Sequence, residues 1–246
     1  MLKIVYPDAR TFRHIIEALS KIVDEALMKI TSEGVELKAM DPAHVSLLHL
    51  KFPPEAFEEY SVEGEYKIGF NTANILKLLK RGKKGDRLEL SVEEDMFRIA
   101  LIGAAIRAYK IRILDIPEAE IPEATLEFDV SASIISDPLK NALKDAEAVG
   151  DTVEFSAENE EELIIRGKGG EMETETRISR ESGALISLNV KNAAKSEYSL
   201  EYIKNVIALT KVADTVTLEF SNNMPLKLDF AIPGEGRVIY LLAPKE

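Results

Sequence analysis

Apolar residues recur three or four positions apart in four segments of the chain, the spacing of a helix that buries one face. In the first segment Phe12, Ile15 and Leu19 form this stripe, and the pattern predicts helices over 9–23, 72–85, 138–149 and 200–212. Asp137 followed by Pro138 is a favoured opening for the third helix, and Ser199 is a suitable cap for the fourth.

Between the predicted helices, apolar and polar residues alternate, which is typical of strands with one buried face. The alternation is clean over 87–92 and 215–220, and shorter runs add further strands. The chain therefore contains many strands and few short helices, without a regular strand–helix–strand rhythm. This pattern predicts an α+β fold of antiparallel sheets.

The pattern occurs twice. Phe12 matches Leu139, 127 positions later, and Ile75 matches Ile203, 128 positions later. An internal repeat indicates a duplicated architecture, so we expect an N-terminal domain over 1–114 and a similar C-terminal domain over 126–246. The segment 115–125 contains two prolines and four acidic residues and is predicted to be an extended interdomain connecting loop.

Motifs for chemistry are missing from the sequence. The glycine–lysine turns do not fit a phosphate loop, there is no nucleophile elbow, and His44 and His49 lack a third ligand at metal spacing. We therefore expect no catalytic residue, no metal and no cofactor. With no cysteine, no long apolar stretch and no signal-peptide pattern, we expect an intracellular protein of the cytoplasm or nucleoid, without a membrane partner.

The net charge of −12 argues against a nucleic-acid partner, but its distribution argues for one. The predicted helix over 72–85 has five cations and no acid, and the first and fourth helices are also net positive. The third is neutral, because Asp145 and Glu147 balance its lysines. No aromatic residues interleave with these cations, so the pattern predicts sequence-nonspecific contact with phosphates.

Three motifs together resemble the sliding clamps of the proliferating cell nuclear antigen family, in the archaeal form that lacks an acidic tail. The motifs are Met40–Leu47 (MDPAHVSL), Ile121-Pro122-Glu123 and Tyr240–Lys245 (YLLAPK). The resemblance implies two similar domains per subunit and a ring of three subunits around duplex DNA, with helices lining the hole. It also implies a processivity factor for replication and repair, a tether without chemistry of its own.

The resemblance further implies which residues meet partners. The DNA-facing residues would be Arg10, Arg13, Lys77, Lys80, Arg81, Lys140, Lys144, Lys204 and Lys211. An apolar pocket under the connecting loop would receive a short motif with a glutamine and paired aromatics, carried by DNA polymerase, flap nuclease and DNA ligase, and the clamp loader would bind in the same way. The pocket would consist of Met40, His44, Val45, Leu47, Ile121, Pro122, Leu126, Pro225, Ala243 and Pro244.

Ring closure requires edge strands that pair between subunits. The family topology implies such strands near 104–114 and 171–179, where Arg107, Lys110 and Arg112 would oppose Glu171, Glu173 and Glu175. Opposite charges across paired strands contribute roughly 0.2–1 kcal/mol each. The subunits of the trimer could be identical copies or sister chains.

Two other functions remain open from the sequence. One is a monomeric adaptor that uses only the groove at the connecting loop and does not stay on circular DNA. The other is a nucleic-acid-processing enzyme with an acidic metal site, which would require a divalent ion for turnover.

Overall fold

The computed structural model describes residues 1–118, 121 and 125–245, and the chain forms two compact units. Unit 1 comprises Met1–Pro42, Leu48–Ile121 and Ile232–Val238. Unit 2 comprises Ala43–Leu47, Pro122–Ala231 and Ile239–Glu246. Each unit thus borrows a short segment from the other half of the sequence.

The two halves of the chain have the same order of elements: one strand, a helix, five strands, a second helix and three strands. The first half contains β1 (Leu2–Tyr6), α1 (Ala9–Leu19), β2 (Glu25–Thr31), β3 (Gly34–Met40), β4 (Ser46–Phe52), β5 (Glu59–Val62), β6 (Tyr66–Asn71), α2 (Thr72–Leu79), β7 (Arg87–Glu93), β8 (Met96–Ile102) and β9 (Ile106–Arg112). The second half contains β10 (Val130–Ile135), α3 (Ser136–Val149), β11 (Thr152–Ala157), β12 (Glu162–Lys168), β13 (Glu173–Ser179), β14 (Leu185–Val190), β15 (Ala194–Ser199), α4 (Leu200–Ile203), β16 (Thr215–Phe220), β17 (Leu226–Ile232) and β18 (Gly236–Leu242). Short 3-10 helices span Pro54–Ala56, Arg180–Ser182 and Lys204–Lys211.

The strand order repeats as well. In unit 1 the orders are β5-β1-β7-β8-β9 and β4-β3-β2-β6, and in unit 2 they are β14-β10-β16-β17-β18 and β13-β12-β11-β15. The pairs β1–β7 and β11–β12, like the other described pairs, are antiparallel. The predictions of an α+β fold and of an internal repeat are confirmed.

Each unit has its own apolar core. In unit 1 the ring of Tyr6 packs edge-on against Phe12 of α1 and Phe52 of β4, at centroid distances of 4.9 and 5.5 Å. The Tyr6 hydroxyl donates to the Pro233 carbonyl, which satisfies its buried polar atom. In unit 2 Phe155 packs near Tyr198, whose hydroxyl donates to the Met224 carbonyl in the same way. Helices and sheets are held together by these cores, so their outward faces are free to carry charge.

Three helix boundaries differ from the prediction. Helix α1 ends at Leu19 instead of residue 23, where the Ser20 hydroxyl donates to the Glu17 carbonyl. Helix α2 ends at Leu79 instead of residue 85, where the Arg81 and Gly82 amides donate to carbonyls three residues back, those of Leu78 and Leu79, and no longer four. The predicted helix over 200–212 is an α-helical turn, α4, continued by the 3-10 helix Lys204–Lys211.

One of the two capping predictions is wrong. Helix α3 begins at Ser136, so Asp137 and Pro138 lie in its first turn, where proline is tolerated and where Asp137 forms an ion pair with Lys140. The other is confirmed in position: Ser199 is the N-cap residue of α4, although its side chain accepts no capping hydrogen bond.

Candidate functional site

The densest group of cations lies at the end of α2 and in the turn that follows. Asn71 caps the helix, because its side chain accepts a hydrogen bond from the Asn74 amide at 3.0 Å. Ile75 and Leu79 point into the core, which turns Lys77 outward. We call residues 80–85 the basic turn; with Lys77, its exposed cations are Lys80, Arg81, Lys83 and Lys84. Within the described part of the chain, none of these five forms an ion pair.

The basic turn is held by a buried carboxylate. Asp86, which is only 5% exposed, accepts a hydrogen bond from the Lys83 amide at 2.8 Å and forms an ion pair with Arg107 of β9. Arg107 also donates to the Arg81 carbonyl at 2.7 Å. The cations of the turn therefore sit on a backbone that is fixed at several points.

The cations of α1 are less available. Arg10 lies 3.4 Å from the carboxylate of Asp8, which caps the helix through the Arg10 amide. Arg13 lies 3.1 Å from the ring of His14. Both arginines are half-buried. They are therefore less accessible to an external partner than the exposed cations at the end of α2.

Some of the lysines on the helices of unit 2 form ion pairs, and others do not. Lys140 pairs with Asp137 at 2.9 Å and Lys204 with Glu147 at 3.5 Å. Lys144 and Lys211 are exposed and form no ion pair with any described residue. The acids that make the third helix neutral are thus partly occupied by a neighbouring lysine.

One group of the predicted partner residues is assembled in unit 2. The Ala243 amide donates to the Val45 carbonyl at 2.9 Å, which joins the C-terminal segment to the segment 43–47. The Lys245 amide then donates to the Glu197 carbonyl at 2.8 Å, and the Lys245 ammonium contacts Thr152 and Asp151. The half-buried apolar side chains of this unit that the prediction named are Val45, Leu47, Leu126, Pro225, Ala243 and Pro244; His44 is exposed.

The other group lies in unit 1. Ile121 lines a groove of about 470 Å³ with Leu27 and Leu37, and Met40 ends the neighbouring strand β3. The chain at the groove is pinned where the Leu114 amide donates to the Gly69 carbonyl at 2.8 Å and where Glu118 pairs with Lys67 at 2.6 Å. The hydrogen bond from Lys67 lowers the pKa of the Glu118 carboxyl. Pro122 lies outside the described residues.

The strands predicted to join subunits are edge strands. β9 ends the five-stranded sheet of unit 1 and β13 ends the four-stranded sheet of unit 2. Because successive side chains of a strand point to opposite faces, Lys110 and Arg112 share the exposed face of β9, and Arg107 lies on the other face, toward Asp86. The pleat therefore divides the three cations that the prediction treats as one run.

The acids of β13 have partners of their own. Glu175 contacts Arg166 of β12 at 2.8 Å and Arg177 at 2.7 Å, and these hydrogen bonds lower the pKa of its carboxyl. Glu173 begins the strand and Glu171 precedes it. On β9, the edge strand of unit 1, Lys110 contacts Glu93, and Arg112 lies 3.3 Å from Asp95. Pairing between subunits would therefore require exposed ion pairs to be exchanged, which costs little because such pairs contribute about 0–1 kcal/mol each.

Sequence reasoning missed a buried carboxylate in unit 2. Glu154 of β11 is fully buried and is surrounded by Arg166, Lys168 and Lys195. Burial raises the pKa of Glu154, but hydrogen bonds from these three cations outweigh it and lower the pKa overall. The signal was present in the sequence as cations on both neighbouring strands. Their register, however, depends on pairing between distant segments.

Among residues 1–118, 121 and 125–245, no group of three or more histidine or acidic side chains is arranged to hold a metal ion. In the same residues no helix is both long and apolar enough to cross a membrane.

Comparison with known proteins gives concordant results. The family model for the N-terminal domain of proliferating cell nuclear antigen matches residues 1–120, and the model for its C-terminal domain matches residues 120–245. A protein named DNA polymerase sliding clamp 1 from Sulfolobus acidocaldarius is 40% identical, over 99% of this chain and 99% of its own length. The DNA polymerase sliding clamp of Pyrococcus abyssi is 38% identical, over 99% and 98% of the two chains.

Solved structures agree with these relatives. The crystal structure of PCNA from Thermococcus kodakaraensis matches with a TM-score of 0.93 at 32% identity, covering 100% of both chains. A chain of the PCNA2–PCNA3 complex from Sulfolobus tokodaii matches with a TM-score of 0.93 at 29% identity, covering 99% of each. The motifs at residues 40–47, 121–123 and 240–245 all lie within these matches. The chain therefore belongs to the proliferating cell nuclear antigen family.

Proposed function

We infer that the protein is a DNA sliding clamp, a subunit of a ring that encircles duplex DNA and tethers replication and repair proteins. The observation that carries this inference is the group of exposed, unpaired cations on α2 and the basic turn of a chain whose net charge is −12. A dense patch of exposed cations on a strongly acidic protein is the charge pattern expected of a surface that binds a polyanion.

The DNA-facing residues are those of the sequence prediction, led by Lys77, Lys80 and Arg81 and joined by Lys83 and Lys84. In unit 2 the exposed lysines Lys144 and Lys211 contribute most. All of these are Lys or Arg without interleaved aromatic rings, so they suit phosphates and not base edges. The contact is therefore nonspecific in sequence and sensitive to salt.

The partner-binding residues fall in two regions, each described within its own unit: the apolar residues around the C-terminal segment of unit 2, and the groove at Ile121 of unit 1. Apart from the buried Leu37, the apolar side chains named at these two regions are half-buried, so an incoming aromatic side chain can complete their burial. A few such anchors supply most of the energy of an interface. Partners would be the DNA polymerase, flap nuclease, DNA ligase and clamp loader, each through a short peptide. We also propose that the sequence divides into domains 1–114 and 126–246, with the segment 115–125 connecting them.

The ring consists of three subunits, joined through β9 and β13, and it acts on DNA inside the cell without catalysing a reaction. Edge strands with unpaired backbone groups are ready to accept a strand from another chain. Identical copies and sister chains would use the same edge strands. The solution mass of the chain alone distinguishes the two cases, because only a homotrimer assembles without sister subunits.

The test uses a nicked circular duplex onto which the protein has been loaded with its clamp loader. A closed ring remains on the circle through a gel-filtration column at moderate salt and is lost when a restriction enzyme linearises the circle, because it slides off the ends. Retention that is unchanged by linearisation would refute encirclement and favour the monomeric adaptor. Sister subunits are added if the chain alone is a monomer.

A further inference from the structure

We propose that Arg107 is a positioning residue for DNA binding: from the edge strand β9 it fixes the shape of the basic turn. This inference rests on the proposed function, and it assigns Arg107 a role within its own subunit. The family resemblance implies instead that Arg107 pairs with acids of a neighbouring subunit.

Arg107 contacts two residues of its own chain, Arg81 and Asp86. One guanidinium nitrogen donates to the Arg81 carbonyl at 2.7 Å, and the other pairs with the Asp86 carboxylate. The planar fork of arginine can make both contacts at once, whereas the single ammonium of lysine cannot hold both in this geometry. Lys110 and Arg112, on the other face of β9, make no contact with the turn.

The Asp86 carboxylate is the centre of the arrangement. It accepts the Lys83 amide at 2.8 Å, and the Asp86 amide donates to the Lys83 carbonyl at 3.1 Å. The turn between β8 and β9 makes room for it: a Cβ added to Gly103 would lie 2.0 Å from the Asp86 oxygen. A glycine at this position is therefore required by the carboxylate, which indicates a built site and not an incidental contact.

The consequence is that two of the DNA-facing cations depend on Arg107 for their position. The Arg81 carbonyl and the Lys83 amide are both held by the Arg107–Asp86 pair, and Lys84 lies between Lys83 and Asp86. Without Arg107 the buried Asp86 carboxylate has no cation paired with it. Lys83 and Lys84 are the cations of the basic turn nearest to Asp86 in the sequence, so their ammonium groups are the ones that would take the place of Arg107. The turn would then move its cations toward Asp86 and away from phosphate.

The experiment measures the affinity of the assembled protein for a duplex of fixed length between 50 and 200 mM salt. Arg107→Ala should reduce the log–log salt slope by about 2 or more, because several phosphate contacts are lost together, whereas a single contact accounts for about 0.9. Arg98→Ala is the matched control: Arg98 lies on the adjacent strand β8 and pairs with Glu89 at similar burial, but does not contact the turn. It should leave the slope unchanged.

Two further variants separate positioning from direct contact. Arg107→Lys keeps the charge and would rescue a direct phosphate contact, but should not rescue positioning. Asp86→Asn removes a negative charge, so simple electrostatics predicts tighter DNA binding; the positioning role predicts weaker binding and faster hydrogen exchange of the Lys83 amide. These variants also carry the test if Arg107→Ala does not fold.

The outcomes are distinct. Full rescue by lysine, tighter binding by Asp86→Asn, or a slope change of about 0.9 or less would overturn the inference. So would a fall of the solution mass to that of a monomer in Arg107→Ala, which would assign Arg107 to subunit contact. If the unmodified protein binds duplex DNA without salt dependence, the proposed function itself fails. If it binds as expected and the variants do not differ from it, only the role of Arg107 fails.

Discussion

Replacement of Lys77, Lys80 and Arg81 by alanine tests the DNA-facing surface directly. These side chains are exposed and form no ion pair with any described residue, so their removal should not disturb the fold. Each lost phosphate contact lowers the log–log salt slope on duplex DNA by about 0.9, so three contacts correspond to about 2.7. Over a fourfold change of salt concentration this difference amounts to roughly 40-fold in affinity.

The assay is equilibrium binding of a labelled duplex at several salt concentrations, with two unrelated sequences. The control variant replaces Lys3, Lys51 and Arg87, three exposed or half-exposed cations of strands in the same unit, and so removes the same net charge. We expect the first variant to have a flatter slope on both sequences and the control to resemble the unmodified protein. Because screening at physiological salt limits charge effects to about 8 Å, distant charges should matter little.

Two results would refute this reasoning. Equal losses in the two variants would mean that only net charge matters and that the helix surface is not the contact. A loss confined to one DNA sequence would indicate that these side chains read bases, contrary to a phosphate-only contact.

Three other predictions follow from the proposed sites and from the buried carboxylate. Replacement of Glu171, Glu173 and Glu175 by lysine should shift the solution mass toward that of a monomer, and additional replacement of Lys110 and Arg112 by glutamate should restore the trimer mass. A solution mass unchanged by the first replacement contradicts the proposed pairing of β9 with β13. Leu47→Ala with Ile121→Ala should weaken binding of an aromatic-bearing peptide by more than about 2 kcal/mol in calorimetry while DNA retention persists; unchanged peptide affinity contradicts the pocket. The pKa of Glu154 is lower in the folded state than the ordinary 4.5, so its contribution to stability is present above that pH and disappears as pH falls below it. The melting temperature should therefore fall more between pH 7 and pH 3 in the unmodified protein than in Glu154→Gln, and equal falls would show that the carboxylate does not contribute.

The fold was largely predictable because its signals are local. Strand alternation over 215–220 coincides with β16, and the offset of 127 residues between Phe12 and Leu139 corresponds to two helices that begin 127 positions apart, at Ala9 and Ser136. Periodicity of this kind depends only on neighbouring residues. Helix ends were less predictable, since apolar spacing does not reveal where the backbone leaves the helix; α2 ends at Leu79, six residues before the predicted end.

The candidate sites were predictable in composition but not in geometry. The sequence indicated that Lys80, Arg81, Lys83 and Lys84 belong together, yet it placed them on a helix, whereas all four lie beyond its last residue. It also indicated that Arg107 is charged and near an edge, but not which face of the strand it occupies. That choice is made by Asp86, 21 positions earlier, and contacts between distant residues leave no periodic signal.

The way the cations are paired explains how an acidic chain can present a positive surface. On the sheet of unit 2, Arg166 and Lys168 are held by Glu154, Glu175 and Glu197, so these cations are neutralised where they stand. The cations of the basic turn form no ion pair with any described residue, and the neighbouring acid Asp86 is paired with Arg107. The net charge includes the paired cations of the sheet and the unpaired cations of the basic turn equally. A polyanion within a Debye length, however, is attracted mainly by the unpaired cations, because each paired cation is neutralised by an adjacent carboxylate. The sign of a binding surface therefore depends on where the acids are already occupied, and Arg107 keeps the turn positive by occupying Asp86.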